Sequence, residues 1–115
     1  MQIEKFEDII AWQKAKLLTL DIYKSFRLCK DYGFKDQIQR ASVSIMNNVA
    51  EGFERKGDKE FSRFLFIAKA SCGEVRSMIY IAHDLRYISK EDSQKYYDLS
   101  VEISKLISGF IKTLR

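Results

Sequence analysis

Proline is absent from this 115-residue chain and glycine occurs only five times. A sandwich or barrel of short strands needs far more of that punctuation, so long helices are favoured from the outset. Cysteine is equally scarce. Cys29 and Cys72 are too few for a disulfide framework or a four-ligand zinc site, and they read as buried reduced thiols. Uninterrupted apolar runs are missing as well. MQIEKFEDII has no stretch of signal-peptide length, and no later segment approaches the ~18 apolar residues of a membrane span, which points to a cytoplasmic protein with no membrane partner. Histidine occurs once, at His83, so paired-histidine metal sites are excluded.

What is present describes one globular domain over residues 1–115. Hydrophobic residues make up 46% and charged residues 31%, a balance that supports a core and excludes a disordered chain. Lys and Arg outnumber Asp and Glu by 20 to 16, for a formal charge of +4, and the pI is near 9.1. That excess suits solubility and permits a polyanionic partner without requiring one.

Breaks at Lys30-Asp31-Tyr32-Gly33, Lys56-Gly57-Asp58 and Ser89-Lys90-Glu91-Asp92 divide the chain into four segments, at 7–30, 34–56, 58–87 and 90–114. Ser89 is placed to cap a helix with Asp92 three positions on. Apolar residues recur at three- and four-residue steps in every segment. Trp12, Ala15, Ile22 and Phe26 mark the first, and Ile38, Ala41, Ile45 and Gly52 the second. Phe61, Leu65, Ala68, Cys72, Val75 and Ile79 mark the third, and Tyr96, Leu99, Ile103, Leu106 and Phe110 the fourth. Short connections between helices of this length predict an all-α, antiparallel up-down four-helix bundle.

One seam does not account for all the apolar residues. Ile10, Leu17 and Leu28 fall opposite Trp12, while Val43, Met46, Ala50 and Phe53 form a second stripe on helix two. On helix three the small residues Ala70, Gly73 and Ser77 share a face away from Phe61 and Ile79. A monomer would leave these faces in water, so Ile10, Leu17, Leu28, Val43, Met46 and Phe53 are candidate oligomer contacts.

RASVSIMNNVAEGFER, from Arg40 to Arg55, interrupts an apolar helix with polar residues. Gln37, Arg40, Ser44, Asn47 and Glu51 lie on one arc with Asn48 at its border, hemmed in by apolar faces. Such a stripe is expected to be shielded and to form a hydrogen-bonded network, with Glu74 as the partner of Arg40.

The same residues carry a resemblance. Trp12-Gln13-Lys14-Ala15, Gln37 to Ile45, Asn48-Val49-Ala50-Glu51-Gly52-Phe53, Phe61-Ser62-Arg63-Phe64-Leu65 and Ala70-Ser71-Cys72-Gly73-Glu74 together resemble the bacterial four-helix-bundle proteins encoded in intervening sequences of 23S ribosomal RNA genes. The likeness spans nearly the whole chain. It implies a ring-shaped homopentamer and a fold shared with the accessory variability proteins of diversity-generating retroelements. Those relatives bind nucleic acid and reverse transcriptase through basic surfaces, so RNA or DNA and a reverse transcriptase are the partners it implies.

No nucleophile elbow, phosphate loop or metal-spaced cysteine pair occurs. His83 beside Asp84, and the carboxylates Glu51, Glu74 and Asp84, read as helix-flank and packing residues, and neither an enzyme nor a cofactor is expected. The basic residues form clearer groups. Arg55, Lys56, Lys59 and Arg63 gather at the second turn and Lys14, Lys24 and Arg27 lie on the first helix, as candidate nucleic-acid contacts. Five copies in a ring would raise the charge from +4 to about +20. The leading expectation is a non-catalytic oligomer that binds structured RNA through phosphates; the alternative is an adaptor for a nucleic-acid enzyme such as a reverse transcriptase.

Overall fold

The computed structural model describes residues 3–114, and among these the chain forms four α-helices behind a short 3-10 turn, with no strand. The helices are α1 (Ile10–Ser25), α2 (Tyr32–Glu54), α3 (Asp58–Asp84) and α4 (Lys90–Lys112), and the turn covers Phe6–Asp8. Each helix packs on its two neighbours, α1 on α2 and α4, α3 on α2 and α4, and the diagonal pairs do not meet. An up-down-up-down bundle of 43 × 22 × 19 Å results.

The ends follow from local chemistry. Ser89 caps α4, its Oγ accepting the Asp92 N–H at 3.0 Å. Asp31 caps α2, its carboxylate accepting the Phe34 N–H at 3.2 Å, so α2 begins two residues before the predicted start at 34. The same carboxylate accepts the Tyr87 hydroxyl at 2.7 Å. That bond ties the α1–α2 turn to the α3–α4 turn and holds the Tyr87 phenol above its usual range. Gly57 precedes α3 with a φ of 96°, a backbone state natural only to glycine.

Two helices stop earlier than periodicity predicts. α1 ends at Ser25 rather than 30, because Phe26 turns completely into the core and stacks toward Phe34 with centroids 5.9 Å apart. α3 ends at Asp84 rather than 87. There Arg86 takes a left-handed φ of 61°, Tyr87 N–H donates to Ala82 at 2.8 Å and Arg86 N–H to His83 at 3.0 Å. This is a Schellman close with arginine where glycine is usual.

The predicted seams form the core. Ala15, Ile22, Phe26, Ile38, Ala41, Ile45, Leu65, Ala68, Cys72, Val75, Ile79, Tyr96 and Ile103 are all buried, while Trp12, Leu99, Leu106 and Phe110 lean on it half-buried. Burial pushes the Cys72 thiol up to about 12. The tightest approach is at Gly52. A Cβ there would stand 2.6 Å from the Phe64 Cβ and 3.0 Å from the Phe61 ring, so the Glu51-Gly52-Phe53 turn of α2 requires a residue without a side chain.

Candidate interaction surfaces

Two helices at diagonal corners present apolar faces to solvent. On α1, Ile10, Leu17 and Leu20 are about half exposed, and Leu28 in the following turn is 80% exposed. On α3, Phe66, Ile67, Ile81 and Leu85 are 40 to 57% exposed. Between them Ala70 and Ser77 lie open and a Cβ on Gly73 would meet nothing within 4 Å. The α3 surface is larger than the small-residue face read from sequence. Extending that face one turn in each direction from Ala70 and Ser77 reaches Phe66 and Ile81, and this helical continuation is the signal that locates them.

Helix α2 contributes less than its sequence stripe predicts. Val43 and Ala50 are half-buried, but Met46 and Phe53 pack against the core of their own protomer, Phe53 meeting Phe61 edge to face at 5.8 Å. Their apolar surface is largely used inside the chain.

The polar stripe on α2 divides into separate contacts. Gln37 Nε2 donates to Glu74 Oε2 at 3.2 Å, Ser44 and Ser71 share a hydrogen bond of 2.9 Å, and Asn48 Nδ2 donates to the Ser44 carbonyl and hydroxyl at 2.8 and 3.0 Å. The expected Arg40–Glu74 pair does not form. Arg40 Nε donates instead to Asp36 Oδ2 at 2.8 Å, one helical turn back, leaving Glu74 to Gln37. Nor is the stripe shielded within the protomer: the Arg40 and Glu51 side chains are 79% and 55% exposed, and Asn47 faces solvent.

Among the seven basic candidates, the structure brings four together. Arg55 Nη2 lies 2.9 Å from Glu51 and its Nη1 3.8 Å from Glu60, and Arg63 Nε lies 3.2 Å from Glu60. Both guanidinium groups also sit over the Phe64 ring, at 4.9 and 5.0 Å from its centroid. The Arg63 hydrogen bond holds the Glu60 carboxyl below the ordinary carboxylate range. Arg55 and Arg63 therefore form a clasp over the α2–α3 turn, whereas Lys56 and Lys59 have no ion-pair partner among the described residues. Lys14 pairs with Glu102 at 3.0 Å. Lys24 and Arg27 belong to the opposite end of a bundle 43 Å long, so the seven do not make one surface in a protomer.

His83 Nδ1 stands 3.4 Å from Asp84 Oδ1 on the exposed flank of α3. Glu74 and Asp84 are ten positions apart on that helix, about 15 Å along its axis, and Glu51 is engaged by Arg55. These carboxylates share no site. Among the described residues no group of three His, Cys, Asp or Glu side chains could hold a metal ion, and no helix is long and apolar enough to cross a membrane.

The family model described as 23S rRNA-intervening sequence protein matches residues 7–109, from the 3-10 turn almost to the end of α4. A crystal structure of a protein of unknown function from the S23 ribosomal protein family of Bacteroides thetaiotaomicron superposes with a TM-score of 0.83 at 25% identity, covering 90% of this chain and 99% of that one. No curated protein matches the chain.

Proposed function

Because the chain belongs to the 23S rRNA-intervening sequence protein family, we propose that it acts as a non-catalytic homo-oligomer, a ring of five subunits, that binds structured RNA through phosphates. The observation that carries this reading is the pair of apolar faces on the diagonal helices α1 and α3, each looking away from the core. Two different surfaces on one protomer suit a head-to-tail contact, which closes into a ring when the rotation closes. Assembly then supplies what the single protomer lacks. Lys56 and Lys59, and Lys24 and Arg27 at the other end, recur around the axis, and the formal charge rises from +4 to about +20.

The test is RNA binding measured against salt, with ribosomal RNA fragments and an unrelated RNA. Lys56→Glu with Lys59→Glu should weaken binding at least about tenfold at ~50 mM salt and flatten the salt dependence, because fewer counterions are released when fewer phosphates are neutralised. Lys56 is exposed in the α2–α3 turn and Lys59 on the first turn of α3, where a glutamate suits the helix N-terminus, so the fold is retained. Equal affinity and equal salt slope for the two proteins would remove this surface from the account. Absence of wild-type binding at ~50 mM salt would favour the adaptor role, with a reverse transcriptase as the partner.

A further inference from the structure

An open cleft of about 390 Å³ lies where the last turns of α3 meet the first turns of α4, lined by Tyr80, His83, Lys90, Ser93, Gln94 and Tyr97 over Ile79. The two tyrosine rings meet edge to face, with centroids 5.8 Å apart and planes at 78°. Tyr80 is 60% exposed and Tyr97 half-buried, so ring surface is open to a ligand rather than committed to the core. A hydrogen bond with the neighbouring Tyr97 hydroxyl raises the Tyr80 phenol above its usual range.

Positive charge flanks the rings. Lys90, the first residue of α4, lines the cleft, and Arg76, one turn before Tyr80, is close enough to act on its phenol. Neither cation takes part in an ion pair among the described residues. Beneath them Ser93 is only 8% exposed, and its hydroxyl is buried without a hydrogen-bond partner among the described residues. Buried hydroxyls are nearly always paired.

Aromatic rings beside free cations, with an amide, an imidazole and an unsatisfied hydroxyl, match one chemistry better than others. A sugar would leave Lys90 unused, and a simple anion would leave the tyrosines unused. We propose that the cleft is a subsite for one nucleotide of single-stranded RNA, its base seated in the angle between the Tyr80 and Tyr97 rings and its phosphate held at Lys90. Gln94 donates its Nε2 to Asp98 at 2.9 Å and His83 sets Nδ1 3.4 Å from Asp84, which leaves the Gln94 Oε1 and the His83 Nε2 for the base edge. This inference rests on the RNA-binding reading and extends it, adding one stacked base to contacts made otherwise through phosphates.

The experiment uses the full chain with two probes. AMP is titrated while the ring resonances of Tyr80, Tyr97 and His83 are followed by NMR, and an unstructured RNA decamer and a hairpin of equal charge are titrated separately by fluorescence anisotropy. The proteins compared are wild type, Tyr97→Leu and Tyr97→Phe. AMP should shift the cleft resonances of wild type. Tyr97→Leu should abolish that response and weaken decamer binding at least about fivefold, the lower bound for one lost base stack. Tyr97→Phe should retain both, because the ring and not the hydroxyl carries the stack. The hairpin should bind wild type and Tyr97→Leu alike. AMP shifts without any RNA binding would uphold the cleft as a nucleotide site and defeat the RNA reading. RNA binding that is equal in wild type and Tyr97→Leu, with no AMP shift in the cleft, would overturn the cleft and leave the RNA reading standing. Should Tyr97→Leu melt below wild type, Lys90→Gln serves as the second variant, with a loss of AMP response and of decamer affinity expected and unchanged values counting against the site.

Discussion

Gly52 in the last turn of α2 and Gly73 in the middle of α3 are both helical glycines, and they mark two opposite regions of the molecule. At Gly52 the helices touch so closely that a Cβ would collide with Phe64 at 2.6 Å; at Gly73 the same Cβ would meet nothing within 4 Å. The inner seam is finished within one chain. The outer face, where Gly73 lies among Ala70, Ser77, Phe66 and Ile81, is apolar and small without anything packed against it. A helix-interior glycine costs roughly 1 kcal/mol relative to alanine. At Gly52 close helix contact within the protomer accompanies the missing side chain, and at Gly73 nothing within the protomer does.

The sharpest way to break this comparison is to fill both positions. Gly52→Ala should lower stability by about 1–3 kcal/mol or more, the cost of forcing volume into a packed core, measured by chemical denaturation. Gly73→Ala should leave the isolated protomer about 0.5–1 kcal/mol more stable and yet weaken assembly by spoiling close approach. Equal behaviour of the two variants would erase the distinction between the regions.

Smaller effects are expected where the chain closes a helix. Arg86 holds a φ of 61°, and Arg86→Gly relieves that strain, so a gain of about 0.5–1 kcal/mol is expected in thermal denaturation. Smaller still is the effect of Arg40→Ala. Its bond to Asp36 is an exposed pair within one helix, and solvent-screened pairs of this kind contribute little to stability, so the melting temperature should barely move. A much larger loss would mean that the α2 stripe is covered in the assembled protein.

The two thiols give a comparison read by chemistry. Cys72 is fully buried with its thiol pushed up to about 12, and Cys29 is half-buried. Alkylation near pH 8 should modify Cys29 and spare Cys72 in the folded protein. Because the Cys72 value is raised from the ordinary 9.0 to about 12, the folded state keeps that proton longer than the unfolded chain. The associated stability is complete below about pH 9 and is lost as pH rises toward 12. Cys72→Ala should remove that part of the alkaline dependence.

The helices, their order and nearly all of the buried seam were legible in the sequence, since a period near 3.6 residues reports which side of a helix meets its neighbours. Ile38, Ala41, Ile45 and Gly52 are buried as their spacing requires. Helix ends were less legible. Spacing placed Phe26 on the buried seam, but nothing local marks it as the residue at which α1 ends, and Arg86 occupies a left-handed position with none of the glycine signal that announces one. The polar stripe was legible as a stripe but not in its pairings. Periodicity puts Arg40 and Glu74 on facing helices, whereas side-chain reach decides that Asp36, on the same helix, takes the arginine. Charge counting likewise overstated the turn cluster, because Glu51 and Glu60 neutralise Arg55 and Arg63 and the Phe64 ring fixes them. The Tyr80–Tyr97 cleft was invisible to periodicity, which says nothing about two residues on different helices meeting at the flank.

Multi-angle light scattering at micromolar concentration, on wild type beside Leu17→Glu and Phe66→Glu, tests the apolar faces most directly. Wild type should run at about 68 kDa, five times the 13.5 kDa chain, and each variant at the mass of the single chain with helix content unchanged, since both positions lie outside the buried seam. A wild-type mass of 13.5 kDa, or variants that assemble as wild type does, would contradict the assignment of these faces to subunit contacts.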